Sequence, residues 1–166
     1  MHDATHDQGE AEHRLWKEID HARFGMLGVP ATGGHFQPMT AFAEPEDNAL
    51  WFFANDDNDL LKAVRDGEDK AMFIIQAKDQ EFQACIGGRL SEDRDRERID
   101  RYWTPMAAAW FPRGKDDPNL TLIRFDLADA QTWASKGAVR FAWEIAKANL
   151  TGERPDVGRQ DHVTLS

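Results

Sequence analysis

Apolar residues recur at helical spacing near both ends of the chain. Ala11, Leu15, Ile19 and Ala22 lie three or four residues apart, which predicts an amphipathic helix over residues 10–22. Residues 138–150 are apolar on most sides and predict a last helix. Two further helices are predicted between them. One is short and covers residues 59–65, with a cap from the polar loop Asn55 to Asn58, and the other is charged and covers residues 91–103.

The segments between these helices are short apolar runs that polar turns separate, a pattern typical of strands. The predicted strands cover residues 24–29, 35–43, 49–54, 71–77, 81–90, 120–127 and 130–134, with a short one at 162–165. Gly33 and Gly34 lie where the tip of a hairpin is expected. Because consecutive strands are joined by tight turns, the pattern favours an antiparallel sheet that closes into a barrel.

The length, the net charge and the short apolar stretches of the chain indicate how many domains it has and which partners are disfavoured. A chain of 166 residues suits one domain, which we assign to residues 10–150, between a flexible lead (1–9) and a tail (151–166). The formal net charge of −10 disfavours a nucleic-acid partner, since such binding depends on cationic contacts with phosphates. The longest apolar stretches, such as residues 106–111, are far shorter than the ~20 residues that span a bilayer. We therefore expect a cytoplasmic protein without a membrane partner.

Local motifs for metal or hydrolytic chemistry are weak. His2 and His6 are four residues apart, but they lie in a polar lead and no spacing fixes a third ligand, so no metal site is predicted. Cys85 is the single cysteine, which excludes an intrachain disulfide, and it has no evident base partner. Gly87 and Gly88 lack the setting of a phosphate loop and indicate a bulge in a strand.

Three segments carry a resemblance to a known family. They are Gln37-Pro38-Met39, residues 50–53 in the next strand, and the long motif at residues 102–118. The chain resembles the pyridoxamine 5′-phosphate oxidase-like split barrels, in the branch called general stress proteins, over roughly residues 15–150. The resemblance implies a mostly-β (α+β) fold, an antiparallel split β-barrel with flanking helices.

The same resemblance implies a function and a site. Members of the family are homodimers that hold FMN between the subunits. We therefore expect a homodimeric flavin-binding protein with an FMN-dependent redox role, whose small-molecule substrate is unspecified. Catalytic residues are not implied. The cofactor-binding residues that the resemblance implies are Gln37, Pro38, Met39, Thr40, Ala54, Asn55, Asn58, Asp59, Leu60, Trp110 and Phe111.

The sequence differs from the family at the phosphate positions. Gln37 stands where the family has arginine, and residues 58–60 (Asn, Asp, Leu) replace a hydroxyl residue, a His or Arg, and a Lys. Asp56 and Asp57 add negative charge. Like charges ~4 Å apart repel by about 4 kcal/mol at an effective dielectric constant near 20, so the loop weakens capture of a phosphate. Oxidation of pyridoxamine phosphate is disfavoured because basic residues for a second phosphate are not evident.

Two hypotheses therefore stay open. In the first, FMN binds and Lys62 or Arg65 replaces the missing cations in part. In the second, the chain is a flavin-free binding or structural dimer, or its cleft takes another flat ligand such as a haem or a deazaflavin. Trp103, Trp110 and Phe111 fit either a core or dimer contact or a direct contact with the ligand.

Overall fold

A computed structural model describes residues 4–135, 137–156 and 158–165, which form eight strands and five α-helices. The strands are β1 (Phe24–Gly28), β2 (Gln37–Thr40), β3 (Phe42–Glu44), β4 (Ala49–Asn55), β5 (Lys70–Gln76), β6 (Phe82–Asp93), β7 (Leu120–Ser135) and β8 (Gly158–Thr164). The helices are α1 (Ala4–Ala22), α2 (Asp59–Arg65), α3 (Arg96–Tyr102), α4 (Pro105–Trp110) and α5 (Ala138–Thr151).

All strand pairs are antiparallel and belong to one eight-stranded sheet, in the order β2-β1-β5-β6-β7-β4-β3, with β8 paired to β7 outside this order. The sheet curls so that β2 also contacts β4, although five places separate them in that order. This curl confirms the predicted barrel-like antiparallel sheet with flanking helices. Among the described residues, no helix has the length and apolar character needed to cross a membrane.

The predicted hairpin at Gly33 is present, with a wider loop and two short strands in place of one. β1 pairs with β2 from Phe24–Thr40 to Leu27–Gln37. Between them, a single 3₁₀ turn ends at Gly33, whose φ of 69° lies in the left-handed region that favours glycine. The predicted strand 35–43 is interrupted at Ala41, whose N–H donates to the carbonyl of Arg23 at 2.7 Å.

Strand β6 is longer than predicted, and helix α3 is correspondingly shorter. The charged run from Ser91 was assigned to a helix, but Ser91 to Asp93 pair with β7, the last pair being Asp93 with Leu122. The helix begins only after Asp95, whose carboxylate accepts the N–H of Glu97 at 3.0 Å. The pairing with β7 outweighs the helical preference of the charged run.

Strand β7 is continuous, where the sequence pattern predicted two strands. The first half of β7 pairs with β4 and the second half with β8. On the other edge of β7, all residues of β6 pair with it. The register of β6 against β7 shifts between Gly87 and Gly88, so the predicted bulge is confirmed. Strand β8 begins at Gly158, four residues earlier than predicted.

The strand β4 is buried on both faces and separates two apolar clusters. Leu50 and Phe52 face the larger cluster, which Leu15 and Ile19 of α1 cover. Trp51 faces a smaller cluster with residues of α3, of β7 and of the segment after α4. Helix α1 begins at Ala4, six residues before the predicted start. The smaller cluster fixes α3 and the residues after α4 next to one end of β4.

Candidate functional site

A cavity of about 580 Å³ opens between β2, the end of β4 and helix α4. Its size is within the range of small-molecule sites in proteins. It is lined by Phe24, Gln37, Pro38, Met39, Thr40, Phe42, Phe53, Ala54, Asn55, Asn58, Thr104, Met106, Ala107, Trp110 and Phe111. Among the residues that the structure describes, every one that lines the cavity is uncharged.

Aromatic rings form one wall of this cavity. The rings of Phe42 and Phe53 meet edge to face, with centroids 5.7 Å apart and an interplanar angle of 78°. Phe53 also lies 6.3 Å from the ring of Phe111, which is buried. Such a wall offers a flat aromatic ligand an apolar contact surface.

Helix α4 contributes Met106, Ala107 and Trp110 to the cavity lining, and of these three Met106 and Trp110 are exposed. The helix begins at Pro105, and the hydroxyl of Thr104 accepts the N–H of Ala107 at 3.2 Å. Proline at the first position and threonine before it are typical of a helix start. Ala107 is buried, whereas Trp110 remains 71% exposed at the rim.

The polar end of the cavity is formed by side-chain amides. The Nδ2 of Asn58 donates to Oε1 of Gln37 at 3.1 Å. The Oδ1 of Asn58 accepts the N–H of Leu60 at 2.8 Å, so the same residue caps α2, as the sequence predicted. These two bonds hold both amides at the rim and leave Nε2 of Gln37 as a neutral donor.

The structure brings together nine of the eleven residues expected to bind a cofactor, since Asp59 and Leu60 lie outside the lining. Leu60 is buried in the larger apolar cluster, and exposed Asp59 bonds to Lys62 at 3.2 Å. Lining residues that the sequence reasoning missed are Phe24, Phe42, Phe53, Thr104, Met106 and Ala107. The helix start at Thr104-Pro105 was the available signal for the last three.

The arginines nearest to the loop between β4 and α2 bind carboxylates. Arg65 lies 2.7 Å from both Asp56 and Glu92, and Arg94 lies 2.8 Å from Asp56. The hydrogen bond from Arg65 is the main cause that lowers the pKa of both Asp56 and Glu92. Two guanidinium groups and two carboxylates leave this network without net charge. Neither Lys62 nor Arg65, the residues expected to replace the missing cations, lines the cavity.

A second ionic cluster supports the aromatic wall from behind. The Glu44 carboxylate accepts hydrogen bonds from the Tyr102 hydroxyl and the Arg98 guanidinium, and from Arg101 at 2.8 Å. Tyr102 stacks on Phe42, with ring centroids 4.7 Å apart and an interplanar angle of 18°. Burial alone raises the pKa of Glu44, but the hydrogen bonds from Tyr102 and Arg98 outweigh it and lower the pKa to about 2.

This cluster predicts a dependence of stability on pH. The folded-state pKa of Glu44 lies below its ordinary value of 4.5, so its stabilising effect is complete above pH 4.5 and is lost as the pH falls toward 2. We expect Glu44→Gln to lower the free energy of unfolding at neutral pH by about 2 kcal/mol, and to flatten its decline in that acidic window. Urea unfolding at several pH values measures both effects.

The control for this experiment is Glu46→Gln, which removes an exposed carboxyl from the turn that follows Glu44. We expect the free energy of unfolding of that variant to depend on pH as that of the wild type does. Equal pH dependence of Glu44→Gln and the wild type would show that the cluster does not stabilise the fold.

The comparisons with known proteins agree with this architecture. Residues 10–156 match the family described as pyridoxamine 5′-phosphate oxidase like. The chain belongs to the pyridoxamine 5′-phosphate oxidase-like family. A search among proteins of curated function finds no match to it.

Solved structures within the pyridoxamine 5′-phosphate oxidase-like fold are similar over most of the chain. General stress protein 26 from Jannaschia sp. CCS1 is 34% identical, with a TM-score of 0.77, over 95% of this chain and 99% of that one. The general stress FMN/FAD binding protein from Xanthomonas citri is 36% identical, with a TM-score of 0.70, over 78% of this chain and 92% of that one. A general stress family protein from Xanthomonas campestris pv. campestris is 35% identical, with a TM-score of 0.71, over 83% and 93%.

These similarities confirm the family and the antiparallel split β-barrel that the sequence indicated. Among the described residues of this pyridoxamine 5′-phosphate oxidase-like chain, no group of three or more His, Cys, Asp or Glu is arranged to hold a metal ion.

Proposed function

We propose that the cavity binds the isoalloxazine ring of a flavin and that the protein is a flavin-dependent redox protein. The observation that carries this proposal is the shape and chemistry of the cavity, an uncharged pocket of about 580 Å³ with an aromatic wall. The name of the Xanthomonas citri relative, an FMN/FAD binding protein that is 36% identical, supports the same ligand class.

The residues of this chain would hold the ring in two ways. Phe42, Phe53 and Phe111 would contact the ring and exclude water from it. The amide donors at the other end, among them Gln37 and Asn55, would hydrogen-bond to its polar edge or to its hydroxyl-bearing side chain. A bound flavin supplies electron or hydride transfer, and the protein orients its reacting atoms.

FMN is the cofactor expected from the sequence. Its isoalloxazine ring suits the aromatic wall of the cavity, whereas its phosphate suits the uncharged lining less well. A phosphate dianion is bound most strongly by guanidinium or ammonium groups. The described residues that line the cavity are uncharged, and Arg65 and Arg94 bind Asp56 and Glu92. We therefore base the proposal on the ring, which all flavins share.

Titration with lumiflavin tests the proposal, because this compound is an isoalloxazine ring with only a methyl group in place of the ribityl chain. Flavin-free protein is expected to quench lumiflavin fluorescence at a stoichiometry of one ring per chain. A protein that is colourless as purified and neither quenches lumiflavin nor retains any flavin after desalting contradicts the proposal.

A flavin-free binding or structural protein is the second candidate. The observation that favours it is the ionic network around Asp56, which uses two nearby arginines for contacts within the protein. On this hypothesis the aromatic cavity is a surface for another flat ligand or for a partner. A visible flavin spectrum of the protein as purified would eliminate it.

We also propose that the protein acts as a homodimer. An apolar face of the sheet is open to solvent, and its exposed residues are Phe24 and Met26 of β1 with Met72 and Ile74 of β5. Met26 and Ile74 are direct partners across the two strands. Phe24 also lines the cavity, so this face reaches the site. Contiguous apolar surface of this kind is typical of an interface.

Substitution of Ile74 tests the dimer. We expect Ile74→Lys to convert a dimer into a monomer, with at least about a tenfold rise in the dissociation constant, because a buried unpaired ammonium group costs several kcal/mol. The matched control is Ala31→Lys, at an exposed residue in the β1–β2 loop, which should remain dimeric. Sedimentation velocity distinguishes the two. A wild-type monomer at all concentrations would contradict the proposal.

A further inference from the structure

The polar end of the cavity is neutral, and the adjacent residue Asp57 carries a carboxylate that forms no ion pair within the part of the chain that the structure describes. The amides of Gln37 and Asn58 form the rim, joined by their 3.1 Å hydrogen bond. The neighbours of Asn58 in the chain are Asp57 and Asp59, both exposed carboxyl residues. A ligand group that leaves the aromatic wall through this end therefore meets neutral donors first and negative charge next.

The next two cations after Asn58 in the chain, Lys62 and Arg65, are held by carboxylates. Arg65 binds both carboxylates of its network, with Oδ1 of Asp56 and Oε1 of Glu92 each 2.7 Å away. It also donates to the backbone carbonyl of Asp56 at 3.0 Å. The guanidinium of Arg65 is thus engaged on several sides, and its release toward a ligand would leave Arg94 alone to compensate Asp56 and Glu92. Lys62 makes one ion pair, with exposed Asp59 at 3.2 Å.

From this charge distribution we infer that the cavity selects a flavin without a phosphate, such as riboflavin, over FMN. The inference rests on the proposed flavin-binding function and names the ligand class within it. Ribityl hydroxyls are neutral hydrogen-bonding groups, and the amides of Gln37 and Asn58 can satisfy them. A phosphate dianion at the same place gains no charge-assisted bond from the lining and is repelled by Asp57.

The experiment is a parallel titration of flavin-free protein with riboflavin and with FMN, followed by quenching of flavin fluorescence. We expect the dissociation constant for FMN to exceed that for riboflavin by about tenfold. Added sodium chloride should strengthen FMN binding and leave riboflavin binding unchanged, since salt screens the repulsion.

Two variants test the electrostatic cause. Asp57→Asn removes one exposed carboxylate, so it should strengthen FMN binding several-fold without an effect on riboflavin. Gln37→Arg places a cation at the rim and should reverse the preference to FMN. Gln37→Met is its control, because it removes the amide without adding a charge and should weaken the binding of both flavins.

The outcomes separate this inference from the function on which it rests. Equal affinities for the two flavins, or tighter binding of FMN, overturn the inference and leave flavin binding intact; tighter FMN binding would mean that a cation reaches the phosphate, for example from a second copy of the chain. If lumiflavin, riboflavin and FMN all fail to bind, the proposed function fails and the inference fails with it.

Discussion

The Ala107→Phe variant is expected to lose flavin binding by at least about 100-fold, which corresponds to about 3 kcal/mol. Ala107 is buried on α4 and lines the cavity, so a phenyl ring at this position points into the space proposed for the isoalloxazine ring. The cavity volume of about 580 Å³ is within the range of small-molecule sites, so a phenyl ring there competes with the ligand for that space. Titration with riboflavin or lumiflavin, read by fluorescence quenching, measures the loss.

Ala109→Phe is the matched control for this variant. Ala109 lies on the same short helix but is exposed and does not line the cavity. We expect it to bind flavin as the wild type does. Both variants should unfold at urea concentrations close to that of the wild type. Undiminished binding by a folded Ala107→Phe variant would show that the ring binds elsewhere.

The Gly88→Ala variant is expected to lose about 3 kcal/mol of unfolding free energy. A Cβ at this position would lie 2.2 Å from the backbone carbonyl oxygen of Asp126 and 2.7 Å from a ring carbon of Phe125. Phe125 is fully buried, and the adjacent register shift between β6 and β7 leaves little freedom for the strands to separate. Urea unfolding followed by tryptophan fluorescence measures the difference.

A second alanine at an open glycine provides the comparison. Gly9 is in helix α1, and no atom lies within 4 Å of an added Cβ there. Because alanine is a better helix former, Gly9→Ala should stabilise the protein by up to about 1 kcal/mol. If Gly88→Ala unfolds like the wild type, the close contact of β6 with β7 is not present in solution.

The sequence was sufficient to predict the antiparallel barrel because its signals are local. The alternation of apolar and polar residues within strands, the hairpin at Gly33 and the cap at Asn58 depend on neighbouring residues only. The errors occur where distant pairing decides the structure. Residues 91–93 resemble the first turn of a helix, yet they pair with β7 thirty residues later. The same long-range pairing joins residues 120–135 into one strand.

The candidate site was predictable in part, for a related reason. The resemblance pointed to β2 and the end of β4, which do line the cavity through Gln37, Thr40 and Ala54. It could not indicate Phe42. The position of that ring depends on the interruption of the strand between β2 and β3 and on its stacking against Tyr102, which is distant in the chain. Nor could the resemblance reveal the ion pair of Arg65 at the end of α2, since its partner Glu92 lies on the distant strand β6.

A crystal structure of the protein with riboflavin is the most direct test of flavin binding in this cavity. We expect the isoalloxazine ring to lie against Phe42 and Phe53, beneath α4, with the ribityl chain directed toward Gln37 and Asn58. Density for the ring at any other place, or a cavity that stays empty at saturating riboflavin, would contradict this expectation.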